Sequence, residues 1–122
     1  MAARRTRGGK VTFATVRRLA RALPGAEEGT SYGTPAFRVR GSLFARLRED
    51  GDSLVLKVDP DVRDALVRSR PRIFYVTDHY RGYPMVLVRL SEVGLEDLRE
   101  LLTESWRRAV PPRRSRAGGT RG

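Results

Sequence analysis

The chain has 122 residues and a formal net charge of +11, with 39% hydrophobic residues and no cysteine. This length fits one domain and excludes two independent cores, and the hydrophobic content is too high for a wholly disordered chain. Without cysteine there are no disulfides or thiolate metal sites, and no apolar run approaches the ~20 residues of a transmembrane helix. The basic N-terminal stretch is not followed by an apolar segment, so no secretory signal is expected. We therefore expect one cytoplasmic domain.

The positive charge is concentrated at the two ends of the chain. Residues 1–10 and residues 111–122 each carry four basic side chains and no acidic one, which leaves +3 for residues 11–110. Both ends are rich in small or basic residues that cannot bury apolar surface, so we expect disordered basic tails around a domain at 11–110. Such tails are attracted to phosphate backbones, although a role in solubility alone explains them as well.

The first expected element is a helix from about Thr12 to Leu23. Thr12 is a suitable N-cap, and Pro24-Gly25 ends the apolar stripe. The segment from Glu27 to Gly33 is polar and rich in glycine, which predicts a loop. Within it, Ser31-Tyr32 fits a turn better than a phosphate-binding loop, because the Gly-Lys-Ser/Thr ending is absent.

Three short strands are expected next, because apolar and polar residues alternate through residues 37–40, 43–47 and 54–58. Asp50-Gly51 predicts a tight turn between the last two strands. A strict two-residue turn at Gly41-Ser42 would direct arginine side chains into the core, so we expect a longer loop or a bulge there. The register set by Asp50-Gly51 places Leu47 opposite Leu54, Ala45 opposite Leu56, and Leu43 opposite Val58.

This three-stranded meander has one apolar face and one basic face. Arginine pairs with phosphate through two hydrogen bonds, and a two-stranded ribbon fits a major groove. The basic face is therefore the first candidate for binding nucleic acid, and an ordinary solvated face explains it equally well. Its side chains, all expected in solvent, are Arg38, Arg40, Arg46, Arg48 and Lys57.

The second half of the chain predicts two more strands between two helices. Asp59-Pro60 is typical of a helix start. Residues rich in β-branched and aromatic types predict strands over Ile73 to Thr77 and Met85 to Leu90, and an apolar stripe predicts a last helix over Leu95 to Ala109. The order α-β-β-β-α-β-β-α predicts an α+β fold of two layers, with a five-stranded antiparallel sheet and helices on one face.

The connection from His79 to Pro84 is the second candidate site. Tyr80, Arg81 and Tyr83 combine rings with a guanidinium, a mixture that stacks on unpaired bases. We favour a structural role, in which the tyrosines close the edge of the sheet. His79 is the only histidine, and without cysteine it does not complete an ordinary zinc site or a nucleophilic pair. The sequence therefore predicts no catalytic residue, metal or cofactor.

Five features of the sequence occur together in a distinctive order: the segments 31–37, 57–60, 79–84 and 88–90, and Trp106 in the last helix. In this order and spacing they resemble the MmcQ/YjbR family. The resemblance runs from about Val11 to Val110 and implies a bacterial protein with a YjbR-like, secretion-chaperone-like domain built on one antiparallel sheet. Members are commonly described as DNA-binding because their projecting hairpins look like a double wing, a description inferred from shape and charge.

The composition and the resemblance together predict a non-catalytic protein that binds DNA or another nucleic acid. Phosphate contacts are expected to supply most of the affinity, with weak sequence preference. The alternative is a protein-interaction or chaperone-like module that binds no nucleic acid and exposes a large apolar patch. Neither prediction includes a membrane or a small-molecule substrate. The residues expected to contact nucleic acid are Arg38, Arg40, Arg46, Arg48, Lys57, Tyr80, Arg81 and Tyr83.

Overall fold

A computed structural model describes residues 11–110 of the chain, and the predicted basic tails at 1–10 and 111–122 lie outside the described residues. The helices are α1 (Phe13–Arg21), α2 (Pro60–Ser69) and α3 (Leu95–Ala109). The strands are β1 (Ala26–Ser31), β2 (Thr34–Val39), β3 (Ser42–Leu47), β4 (Ser53–Lys57), β5 (Phe74–Tyr75) and β6 (Met85–Arg89). None of the three helices is long and apolar enough to cross a membrane.

The strands form one open sheet in the order β1-β2-β3-β4-β6-β5, with every neighbouring pair antiparallel. The predicted α+β class is confirmed, and the sheet has six strands instead of five. The additional strand, β1, lies in the polar segment for which a loop was expected. It pairs only with β2 and is mostly exposed, so its residues need no apolar alternation and the sequence pattern misses it.

Two tight turns connect the first three strands. Each consists of one non-glycine residue and one glycine, both in the left-handed conformation: Tyr32 (φ 55°) with Gly33 (φ 81°), and Arg40 (φ 51°) with Gly41 (φ 81°). Positive φ at both central residues is the geometry that matches the twist of a hairpin. The second turn is therefore Arg40-Gly41, and the prediction of Gly41-Ser42 was wrong by one residue.

The predicted bulge between β2 and β3 is confirmed. Phe37 lies opposite Ala45 and Arg38 lies opposite Leu43, so Phe44 is the extra residue. The bulge turns Phe44 into the core and places Leu43 on the face of the sheet that carries Arg38. The expected pairing of Leu43 with Val58 does not occur, whereas the pairs Leu47 with Leu54 and Ala45 with Leu56 are present.

A hydroxyl group from α3 completes the hydrogen bonding at the bulge. The Ser105 side chain is fully buried, and its Oγ donates to the carbonyl oxygen of Phe44 at 2.6 Å. The same Oγ accepts from the backbone N–H of Lys57 at 2.8 Å. A buried backbone N–H or C=O group without a hydrogen-bonding partner costs free energy. Ser105 therefore stabilises the bulge at the place where α3 covers the sheet.

The core lies between the sheet and its helices. Apolar residues of α1 and α3 cover one face of the sheet, and Leu66 and Val67 of α2 pack against the same core. Burying these side chains is the main source of stability. The largest fully buried side chains are Phe37, Phe44, Phe74, Leu54, Leu56, Leu87, Leu98, Leu102, Val16, Val58, Val86 and Val88.

The opposite face of the sheet is also partly buried. Ala36, Val55 and Leu87 have relative exposures of 0%, 4% and 0%, although they are separate from the main core. Arg46 and Ser53 are buried on the same face, since Arg46 pairs with Val55 and Ala36 in the register. The side chains above them come from turns and loops, and these form the candidate site.

Candidate nucleic-acid interface

The face of the sheet opposite α1 and α3 carries a cleft that strand and loop residues line. It consists of two adjoining hollows, each of about 300 Å³. One hollow extends to Arg48, and the other extends to Tyr83. The residues common to both are Tyr32, Arg46, His79 and Tyr80. A pocket of this size accepts a small ligand or one unit of a polymer.

Arg46 forms the floor of the cleft, and 6% of its surface is exposed. Its Nε donates to the carbonyl oxygen of Ser31 at 3.3 Å, its Nη1 to the hydroxyl of Tyr80 at 3.2 Å, and its Nη2 to Glu49 Oε2 at 3.0 Å. Because the guanidinium has five N–H donors and these bonds use three, it keeps hydrogen-bonding capacity. Its charge is paired with the carboxylate of Glu49.

Tyr32 forms one wall of the cleft and is the most exposed large hydrophobic residue described, at 88%. The Arg46 guanidinium lies 5.1 Å from the centroid of its ring. Its φ of 55° lies in the left-handed region, where a tyrosine is unfavourable and glycine or asparagine is preferred. The hairpin turn imposes this conformation, as it does on Arg40 in the next turn, and it presents the Tyr32 ring to solvent.

The connection between β5 and β6 forms the other wall. The rings of His79 and Tyr80 meet edge to face, with centroids 4.8 Å apart. Arg63 of α2 holds the connection, since its Nη1 donates to the carbonyl oxygens of Tyr83 at 2.8 Å and Arg81 at 3.2 Å. The Tyr80 hydroxyl accepts from Arg46 on the inner strand β3, so Tyr80 lies over the middle of the sheet and not at its edge, where the prediction placed it.

The five basic residues expected on one solvent face are only partly brought together. Arg38 shares the open face with Arg46, and Arg48 lines the cleft. Lys57, two residues after Val55 on β4, belongs to the same face and reaches the Oγ of Ser42 at 3.5 Å. The prediction was wrong for Arg46 and Arg40. Arg46 is buried, because its hydrogen-bonding partners replace solvent around the guanidinium. Arg40 lies in the left-handed turn, where it lines a separate hollow with Trp106.

The acidic side chains near the cleft are matched by arginines. Glu49 accepts from Arg46, and Asp78 pairs with Arg81 at 3.3 Å. A backbone hydrogen bond at Glu49, assisted by the charges of Arg46 and Arg48, lowers the pKa of its carboxyl group despite some desolvation. Glu49 is therefore ionised at neutral pH. Among the described residues, Arg48 forms no ion pair, and no group of three His, Asp or Glu side chains could hold a metal ion.

Of the four residues common to both hollows, two were not among the predicted binding residues. Tyr32 was assigned to a turn and His79 was considered isolated, yet both line the two hollows. The signal for Tyr32 is present in the sequence, because a bulky aromatic residue directly before a glycine is unusual for a hairpin turn. His79 gives no comparable signal, since only the folded connection brings it beside Tyr32.

The chain is similar to known proteins both in sequence and in structure. A family model described as YjbR matches residues 21–108. Uncharacterized protein Mb2600 of Mycobacterium bovis and Uncharacterized protein Rv2570 of Mycobacterium tuberculosis are each 44% identical over 62 residues, covering 50% of this chain and 48% of theirs. The match thus spans about half the length of these relatives. The crystal structure of Deinococcus radiodurans protein DR2400, domain family DUF419, has a TM-score of 0.70 and 27% identity, covering 80% of this chain and 77% of that one.

Proposed function

Since this chain belongs to the YjbR family, we propose that it is a bacterial protein that binds DNA or another nucleic acid and catalyses no reaction. Phosphate contacts supply most of the affinity, so sequence preference is weak and binding falls steeply with salt. The observation that carries the proposal is the cleft on the open face of the sheet, where Arg46 and Arg48 lie beside the exposed tyrosines Tyr32 and Tyr83.

The charges on this face suit a phosphate backbone. The carboxylates of Glu49 and Asp78 are neutralised by Arg46 and Arg81, so they oppose an approaching anion weakly. Arg48 retains its charge without an ion pair among the described residues, and Arg38 uses one Nη1 bond to the carbonyl oxygen of Thr30. Arg38, held in this way, keeps donors for phosphate oxygens and loses little side-chain freedom on binding.

The apolar surface of the described residues argues against the protein-interaction alternative. The exposed large hydrophobic side chains are Tyr32, Tyr83, Val62 and Leu95. The two tyrosines lie at the cleft, while Val62 and Leu95 lie on separate helices. Single exposed apolar residues are normal on a protein surface, whereas a docking site for another protein needs a contiguous patch.

A charge-reversal experiment on the full chain tests this proposal. The double variant Arg38→Glu/Arg48→Glu removes two phosphate contacts and adds repulsion, so we expect at least a ~10-fold loss of affinity for a labelled oligonucleotide at about 50 mM salt. The matched control Arg68→Glu/Arg108→Glu changes the net charge equally at exposed positions on α2 and α3. Equal losses in both variants, or no binding by the unmodified protein, would contradict the proposal.

A further inference from the structure

We propose that the cleft binds an unpaired nucleobase, stacked on the ring of Tyr32, and that the protein consequently prefers single-stranded to duplex nucleic acid. This inference rests on the proposed function and specifies the form of nucleic acid that the site takes. It requires an exposed stacking surface, polar groups directed into the cleft, and a groove along which a strand can continue. The structure provides each of these.

The stacking surface is the Tyr32 ring. The Arg46 guanidinium lies over one side of this ring, 5.1 Å from its centroid, and Tyr32 as a residue is still 88% exposed, so the other side of the ring faces solvent. Bases stack on such rings in proteins that bind single strands, and the contact tolerates any base because each has a π face.

The polar groups lie at the floor and at the far wall of the cleft. Arg46 is positioned by Ser31, Tyr80 and Glu49 and still has free N–H donors, which suit the carbonyl oxygens of bases. The hydroxyl of Tyr80 lies 3.2 Å from Arg46 Nη1, so both groups reach the same space. A base stacked on the solvent side of Tyr32 would have the ring between itself and Arg46, so these polar groups would serve the next nucleotide of the strand, inside the cleft.

The groove continues on both sides of this position. The hollow that ends at Arg48 offers a guanidinium for a phosphate, and the adjoining hollow ends at Tyr83, whose ring is 57% exposed. A strand that crosses from one hollow to the other would meet a second aromatic ring. In a duplex the faces of the bases are covered by their neighbours, so paired strands offer phosphates and groove edges but no base face for stacking on Tyr32.

The test compares a labelled single strand with a hairpin duplex of the same number of phosphates, both titrated with the full chain. We expect the unmodified protein to bind the single strand more tightly. Tyr32→Asn removes the ring and suits the left-handed turn, so affinity for the single strand should fall by about 10-fold while affinity for the duplex is unchanged. Tyr32→Phe keeps the ring and should bind both forms as the unmodified protein does.

A second substitution keeps the test valid if Tyr32→Asn disturbs the hairpin in a thermal unfolding measurement. Tyr83→Ser removes the other exposed ring and should also weaken binding of the single strand selectively. Equal binding of the two forms by the unmodified protein, or variants that weaken both forms equally, would overturn the preference for unpaired bases and leave the proposed function standing. If the unmodified protein binds neither form, the proposed function fails and this inference fails with it.

Discussion

The carboxylate of Asp50 organises the turn between β3 and β4 through three short hydrogen bonds. Its Oδ1 accepts from the backbone N–H groups of Asp52 and Ser53, both at 2.9 Å, and its Oδ2 accepts from Ser53 Oγ at 2.8 Å. The Asp52 N–H, followed by the Ser53 groups and the charge of Arg48, lowers the pKa of Asp50 although partial burial opposes the change. Because the folded pKa is depressed, the stabilisation is complete above the ordinary carboxyl pKa of about 3.9 and is lost as the pH falls through the folded value.

We therefore expect Asp50→Ala to lower the free energy of unfolding at pH 7 by about 1–2 kcal/mol, measured by urea denaturation. At a pH below the folded pKa of Asp50 the difference from the unmodified protein should shrink, because protonation weakens the same hydrogen bonds. Glu92→Ala is a suitable control, since Glu92 is exposed and this substitution also removes one carboxylate charge. If the difference in free energy of unfolding between Asp50→Ala and the unmodified protein is the same at pH 7 and at acidic pH, the carboxylate charge does not stabilise the turn.

Tyr32 and Arg46 show why the site could be predicted only in part. Arginine and tyrosine are the expected residue types for a nucleic-acid surface, and Arg46, Arg48 and Tyr80 were predicted on that basis. The burial of Arg46 depends on partners from three separate segments, which alternation along β3 does not reveal. The left-handed conformation of Tyr32 depends on the tight turn between β1 and β2, and β1 was not predicted from the sequence.

At the scale of elements, local signals predicted most of the fold. The Asp59 side chain accepts from the backbone N–H of Asp61 at 2.8 Å, so α2 begins where the Asp-Pro pair indicates. The last helix has the predicted bounds, Leu95–Ala109. Strand β1 was not predicted, because an exposed edge strand lacks the apolar face that alternation reveals. Its position is set by its pairing with β2.

The bulge in β3 provides a prediction at this scale. Ser105→Ala would leave the buried carbonyl of Phe44 and the N–H of Lys57 without their shared partner. We expect the free energy of unfolding to fall by about 2 kcal/mol in chemical denaturation. Thr103→Ala, on the same helix at a half-buried position, should change it by less than about 0.5 kcal/mol. Equal effects of the two substitutions would mean that the hydroxyl bridge does not support the bulge.

For the whole molecule, the distribution of charge separates two possible sources of nucleic-acid affinity. Residues 11–110 carry a net charge of +3, and the two ends of the chain carry the other eight positive charges of the net total of +11. Basic ends of this kind would add affinity for any polyanion. The proposal places specific contacts on the open face of the sheet, so binding must persist when the ends are removed.

The most direct test is the affinity of the full chain and of a fragment spanning residues 11–110 for one single-stranded oligonucleotide, at about 50 mM and about 200 mM salt. The fragment contains every helix and strand described, and circular dichroism would verify that it is folded. We predict that the fragment binds, with a salt dependence of its own that is shallower than that of the full chain. A folded fragment that does not bind at the lower salt concentration, beside a full chain that does, would contradict a nucleic-acid interface on the sheet.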